Sequence, residues 1–85
     1  MAKTWPDWWD WELEFSSELP DRMLDRQFSE TDLRQMLQEA SDWHVDKEIG
    51  RYTVHARWDN SSWEIIVEPD RDDQKLVIVT AYRLE

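Results

Sequence analysis

The chain has 85 residues, with 20 acidic against 10 basic side chains, a formal charge of −10, seven tryptophans, one glycine and no cysteine. That length makes one domain and buries only about 60–65% of the unfolded surface, so aromatic rings worth roughly 150–250 Å² each have to supply much of the core. The composition excludes a disulfide framework and a thiolate metal site, opposes free nucleic-acid binding unless cations gather on one face, and holds no apolar run near the roughly 18–20 residues of a membrane span. A cytoplasmic protein without membrane partners is the expectation, since cysteine is absent and the front end is acidic where a signal peptide would be basic and then apolar.

Residues 1–8 form a tryptophan-rich extension to the single domain 1–85. Trp5, Trp8 and Trp9 offer either an aromatic patch for a partner or a cover folded back over an open end of the core. From Trp9 the apolar residues Trp9, Trp11, Leu13 and Phe15 alternate with Asp10, Glu12 and Glu14, which predicts a half-buried strand. Its acidic row would guard the border of a sheet. Pro20 suits a first helical turn, and Leu19, Met23 and Leu24 form a short stripe, so a helix is expected near Leu19 to Arg26. Ser29-Glu30-Thr31-Asp32 reads as a capping arrangement, followed by Leu33, Met36, Leu37 and Ala40 on one face of a second helix.

Residues 41–50 read as a connection, with Gly50 free to take a positive φ at its end. Tyr52, Val54, Ala56 and Trp58 then alternate with Arg51, Thr53, His55 and Arg57, and Trp63, Ile65 and Val67 alternate with Glu64, Ile66 and Glu68. Asp59-Asn60-Ser61-Ser62 between them predicts a hairpin with Trp58 facing Trp63, Arg57 beside Glu64 and His55 beside Ile66. After a turn at Pro69 to Asp73, the continuous apolar run from Leu76 to Ala81 predicts a strand inside the sheet. One strand, two helices and a three-stranded antiparallel meander make an α+β domain with helices on one face.

The segments Arg22-Met23-x-x-Arg26 with Phe28-Ser29, Trp63 to Asp70, and Val79-Thr80-Ala81-Tyr82 together resemble the bacterial family called domain of unknown function 4258. That family resembles the RelE- and BrnT-type toxins of toxin–antitoxin modules. The resemblance implies a RelE-like β-α-α-β-β-β fold and a metal-independent endoribonuclease held by a partner antitoxin. Cleavage of that kind needs a base for the ribose 2′-OH, an acid for the leaving oxygen and cations for the developing negative charge. The matching positions offer Arg22 and Arg26 for phosphate and Tyr82 for stacking or proton transfer, to which strand alternation adds His55 and Arg57. Glu18 stands where the family has histidine and Gln27 where it has glycine. A glutamate can act as a base but lacks the imidazolium charge.

Plainer roles exist for each of these residues. Arg22 and Arg26 can pair with Glu18, Asp21, Asp25 or Glu30 at the surface, Arg57 with Glu64, and Tyr82 can serve the core or its rim. His44 could join Asp46 or Glu48 at a metal, but no paired histidine spacing supports it, and no metal or other cofactor is expected. The second functional class open to the chain is a non-enzymatic acidic interaction domain for a basic protein.

Overall fold

A computed structural model describes residues 5–17, 29–58 and 60–84. The expected helix near Leu19 to Arg26, with Glu18, Arg22 and Arg26, lies outside the described residues. Asp7–Asp10 forms a 3-10 turn, followed by strand β1 (Glu12–Phe15), helix α1 (Glu30–Gln38) and strands β2 (Ala40–Val45), β3 (Tyr52–Trp58), β4 (Ser61–Asp70) and β5 (Lys75–Leu84).

The five strands form one mixed sheet in the order β1-β5-β4-β3-β2. β1 runs parallel to β5, whereas the other neighbours are antiparallel. This corrects the expected RelE-like β-α-α-β-β-β fold with an antiparallel sheet. Two features account for the difference. The first is β2, in a segment expected to finish a helix and then connect: α1 ends at Gln38, and Ala40 pairs with Ala56 on β3 instead of completing the helical stripe. Trp43 and Val45 alternate with Asp42 and His44 over too short a run to announce a strand. The second is the return of β5 from the meander to the free side of β1, which the apolar pattern of either strand leaves undetermined.

Local chemistry explains the elements that do match. At the start of α1 the Ser29 hydroxyl accepts from the Asp32 N–H at 3.1 Å, while the Asp32 carboxylate accepts from the Ser29 N–H at 2.9 Å. This capping box satisfies two backbone donors that the first turn would otherwise leave open. Leu33, Met36 and Leu37 project from α1 into the core. Gly50 turns into β3 with φ 84°, and β1, with Glu12 and Glu14 exposed, lies at the sheet border. The run from Leu76 to Ala81 lies in β5, between β1 and β4, as its continuous apolarity predicted.

The hairpin differs from expectation by two residues. Trp58 pairs with Ser61, not Trp63, which leaves a two-residue connection with Asn60 in the left-handed region at φ 62°. Asparagine tolerates that conformation, and two-residue hairpins demand it. A slip of two leaves every side chain on its expected face while changing its neighbour. His55 therefore faces Glu64 instead of Ile66, and Arg57 faces Ser62 instead of Glu64.

One face of the sheet holds the core: Val54 and Ala56 from β3, Trp63, Ile65 and Val67 from β4, and Leu76, Ile78 and Ala81 from β5 pack with the α1 residues and Trp8. Trp8 is 1% exposed, within 5.0 Å of Tyr52 and 6.0 Å of Trp43 between ring centroids. It is a core residue and not the partner contact that the aromatic extension suggested. Trp5 and Trp9 stack on each other at 4.4 Å and are half-buried. Trp9 packs against the core, and Trp5 lies on Trp9. Among the described residues no helix is long and apolar enough to cross a membrane.

Candidate functional site

The opposite face of the sheet carries a line of polar side chains contributed by β2, β3, β4 and β5. Strand alternation places Thr53, His55 and Arg57 there, cross-strand from Glu64 and Ser62 of β4, which in turn face Tyr82 and Leu84 of β5. The Tyr82 hydroxyl donates to Glu64 Oε1 at 3.1 Å. The other oxygen, Glu64 Oε2, lies 4.0 Å from His55 Nδ1. His55 Nε2 in turn lies 2.9 Å from His44 Nδ1 on β2. Four neighbouring strands thus contribute one side chain each to a row Tyr82, Glu64, His55, His44.

Burial grades along this row. The Glu64 side chain is 18% exposed and that of His55 33%, while His44 is exposed. A half-buried carboxylate whose oxygen accepts from a phenol and faces an imidazole is fixed in direction, and its charge acts in a medium less polar than bulk water. The two imidazole planes are tilted 32° from parallel, with centroids 4.8 Å apart. Their short N···N separation holds one proton, because one nitrogen donates and the other must accept. His44 reaches His55 diagonally, since its direct cross-strand partner is Thr53 and Asp42 stands opposite His55. Such diagonal pairs lie within reach of long or aromatic side chains.

Thr53, 2% exposed, donates its hydroxyl to Asp46 Oδ1 at 2.8 Å. The Asp46 carboxyl is held below its ordinary value chiefly by this bond, which outweighs the opposing effect of burial, with lesser help from the N–H groups of Glu48 and Lys47. Asp46 is thereby committed to closing the β2–β3 connection. Among the described residues no three histidine, aspartate or glutamate side chains gather as a set that could hold a metal ion.

Arg57 is exposed on the same face as His55, two residues along β3. Four of the described cations are paired elsewhere: Arg34 with Glu30 at 3.0 Å, Arg51 with Glu68 at 3.1 Å, Arg71 with Asp7 at 3.4 Å and Lys75 with Glu12 at 3.1 Å. Arg34 and Arg71 also lie 5.9 Å and 5.8 Å from the ring centroids of Phe15 and Trp11. An open groove of about 270 Å³ lies on the core side, bounded by Trp9, Trp11 and Leu13 on one wall and by Arg34, Leu37 and Gln38 of α1 on the other. The polar row is where imidazole, carboxylate and phenol side chains from four strands meet.

Of the residues singled out from sequence, the structure brings His55 and Tyr82 together through Glu64 and sets Arg57 beside them. Glu18, Arg22 and Arg26 lie outside the described residues. Trp5, Trp8 and Trp9 lie away from the row, around the core end. Sequence reading offered Glu64 only as an ion-pair partner of Arg57 and His44 only as a possible metal ligand, and joined neither to this row. A two-residue connection between Trp58 and Ser61 would have placed Glu64 opposite His55, and the short alternation of residues 42–45 would have placed His44 on the same face.

The family model described as "Domain of unknown function (DUF4258)" matches residues 15–83. The chain belongs to this family. Comparison with curated proteins and with solved structures finds no match. All four residues of the row fall inside the DUF4258 match, whereas the stacked tryptophans precede it. The row therefore belongs to the family domain itself.

Proposed function

We propose that this DUF4258 protein is an endoribonuclease of the kind found among RelE- and BrnT-type toxins, cleaving RNA without a metal ion and held by a partner antitoxin. The observation that carries the reading is the contiguous row in which Glu64 links the Tyr82 hydroxyl to the imidazole of His55. RNA supplies its own nucleophile, the ribose 2′-OH, so a protein that removes that proton and neutralises charge on the phosphate has the essential equipment. An imidazole backed by an oriented carboxylate is a general base, and Arg57, two residues along the strand and so about 7 Å away, is placed to meet the phosphate.

In the cleavage step the 2′-oxygen loses its proton to imidazole and forms a bond to phosphorus. The bond from phosphorus to the 5′-oxygen breaks, that oxygen takes a proton from water, and the imidazolium returns its proton to the hydroxide left behind. The products are a 2′,3′-cyclic phosphate and a free 5′-hydroxyl. Tyr82 fits this scheme as a positioning residue, because its hydroxyl is engaged on Glu64. The charge of −10 sets the conditions. An acidic surface slows RNA approach and favours a basic partner, which suits an enzyme kept in check by an antitoxin.

The same acidity supports a second reading, a non-enzymatic interaction domain for a basic protein, through edge strand β1 with its exposed Glu12 and Glu14. Incubating purified protein with single-stranded RNA in excess chelator separates the two. Cleavage leaving cyclic phosphate ends, slowed roughly 10²-fold by Glu64→Gln, is expected for the enzyme. Intact RNA, with a basic partner that binds wild type and Glu64→Gln equally, would establish the interaction domain instead.

A further inference from the structure

We infer that His44 is the terminal base of a proton relay running from Glu64 through His55, and that the substrate's proton arrives at His44 Nε2. The inference rests on the ribonuclease reading for its substrate, but its proton path stands on geometry alone. His55 Nδ1 faces the Glu64 carboxylate and its Nε2 faces His44 Nδ1. A carboxylate only accepts, so an imidazole proton beside it is favoured on Nδ1 of His55. His55 Nε2 is then an acceptor, and the 2.9 Å contact requires His44 to donate from its own Nδ1. In neutral imidazole that leaves His44 Nε2 with a free lone pair. His44 is the exposed end of the row, and among the described residues its Nε2 has no hydrogen-bond partner.

A proton taken at His44 Nε2 makes an imidazolium whose Nδ1–H bonds to His55 Nε2. The positive charge is stabilised by that bond and, one ring further, by the Glu64 carboxylate. Moving the Nδ1 proton of His44 onto His55 shifts the charge toward Glu64, whose Oε2 lies 4.0 Å from His55 Nδ1. Distance assigns the remaining roles. Tyr82 is three strands from His44, about 14 Å, too far to protonate a leaving oxygen whose nucleophile is activated at His44. Arg57 lies on the adjacent strand and the same face, four residues along β3 from Thr53, which stands opposite His44, so its place is to draw the RNA backbone toward the row. The reacting position is thereby placed over β2 and β3, at the border of the sheet.

The proton path and the chemistry are read separately. Nitrogen-15 NMR of the wild-type imidazoles in their uncharged form is expected to show both His44 and His55 protonated on Nδ1. Glu64→Ala, which removes the acceptor, is expected to move the His55 proton to Nε2 and that of His44 away from Nδ1. A wild-type His55 protonated on Nε2 would overturn the relay, because the path would then run toward the carboxylate. In the RNA assay, His44→Ala is expected to lose roughly 10²-fold or more and to regain activity with added imidazole. Adding His55→Ala to it is expected to cost little further, as for groups acting in series. Cleavage unchanged in His44→Ala but lost in His55→Ala would overturn the terminal-base role while leaving the ribonuclease reading intact. A wild type that leaves RNA intact would overturn that reading, and the tautomers alone would then decide the relay.

Discussion

The two faces of the sheet use the same strands for different ends. On one, β3, β4 and β5 present Val54, Ile65, Val67 and Ile78, each without exposed surface, under a helix and a tryptophan-bearing turn. On the other, alternate residues of the same strands present His55, Glu64 and Tyr82, half-buried and set side by side. A domain of 85 residues has little stability to spare, and it concentrates its apolar burial on one side. The second side is then free to hold polar groups whose arrangement serves chemistry more than folding. Substitutions should divide accordingly, with core-face changes felt in stability and row changes felt in function.

The largest expected effect tests the core side. Trp8→Ala removes a ring that is 1% exposed and packed against Tyr52 and Trp43, and should destabilise by about 3–5 kcal/mol in denaturant unfolding. A loss below about 1 kcal/mol would show that the turn merely lies on the sheet. Ser29→Ala removes one half of the capping box of α1 and should cost about 0.5–2 kcal/mol, with fraying at residues 30–33 visible by hydrogen exchange. A cost outside α1's first turn would contradict the local origin of that stability.

Thr53→Val bears on the polar side, with a smaller effect that depends on pH. The Asp46 carboxyl, held below its ordinary value by the Thr53 hydroxyl, contributes stability fully present above the unfolded value of about 4 and lost as pH falls through the lowered folded value. Valine should weaken this dependence, so that wild type and variant differ most near neutrality and converge in acid. Curves separated by a constant amount at every pH would show that Thr53 acts through packing alone.

How much of this was legible beforehand follows from the range of each signal. Helix α1 and its capping box depend on residues within one or two turns, and their positions were plain in Ser29, Asp32, Leu33, Met36 and Leu37. The same is true of the period-two strands β3 and β4 and of the inner position of β5. The pairing of β1 with β5 brings together Glu12 and Lys75, which are far apart in sequence, and no local pattern specifies it. The site was half legible for the same reason. His55, Arg57 and Tyr82 stood on the correct face because alternation is local, but their partners depend on register. Glu64 became visible only once the hairpin closed between Trp58 and Ser61, and His44 only once its segment became a strand.

The most direct test of the central claim measures His55→Gln twice, for unfolding stability and for RNA cleavage in chelator. Glutamine keeps hydrogen-bonding capacity at a half-exposed position, so stability should stay within about 0.5 kcal/mol of wild type. Cleavage should fall by roughly 10²-fold or more, because the amide cannot carry a proton between Glu64 and His44. Cleavage at the wild-type rate, or a stability loss large enough to explain the fall, would contradict a division of labour between the two faces.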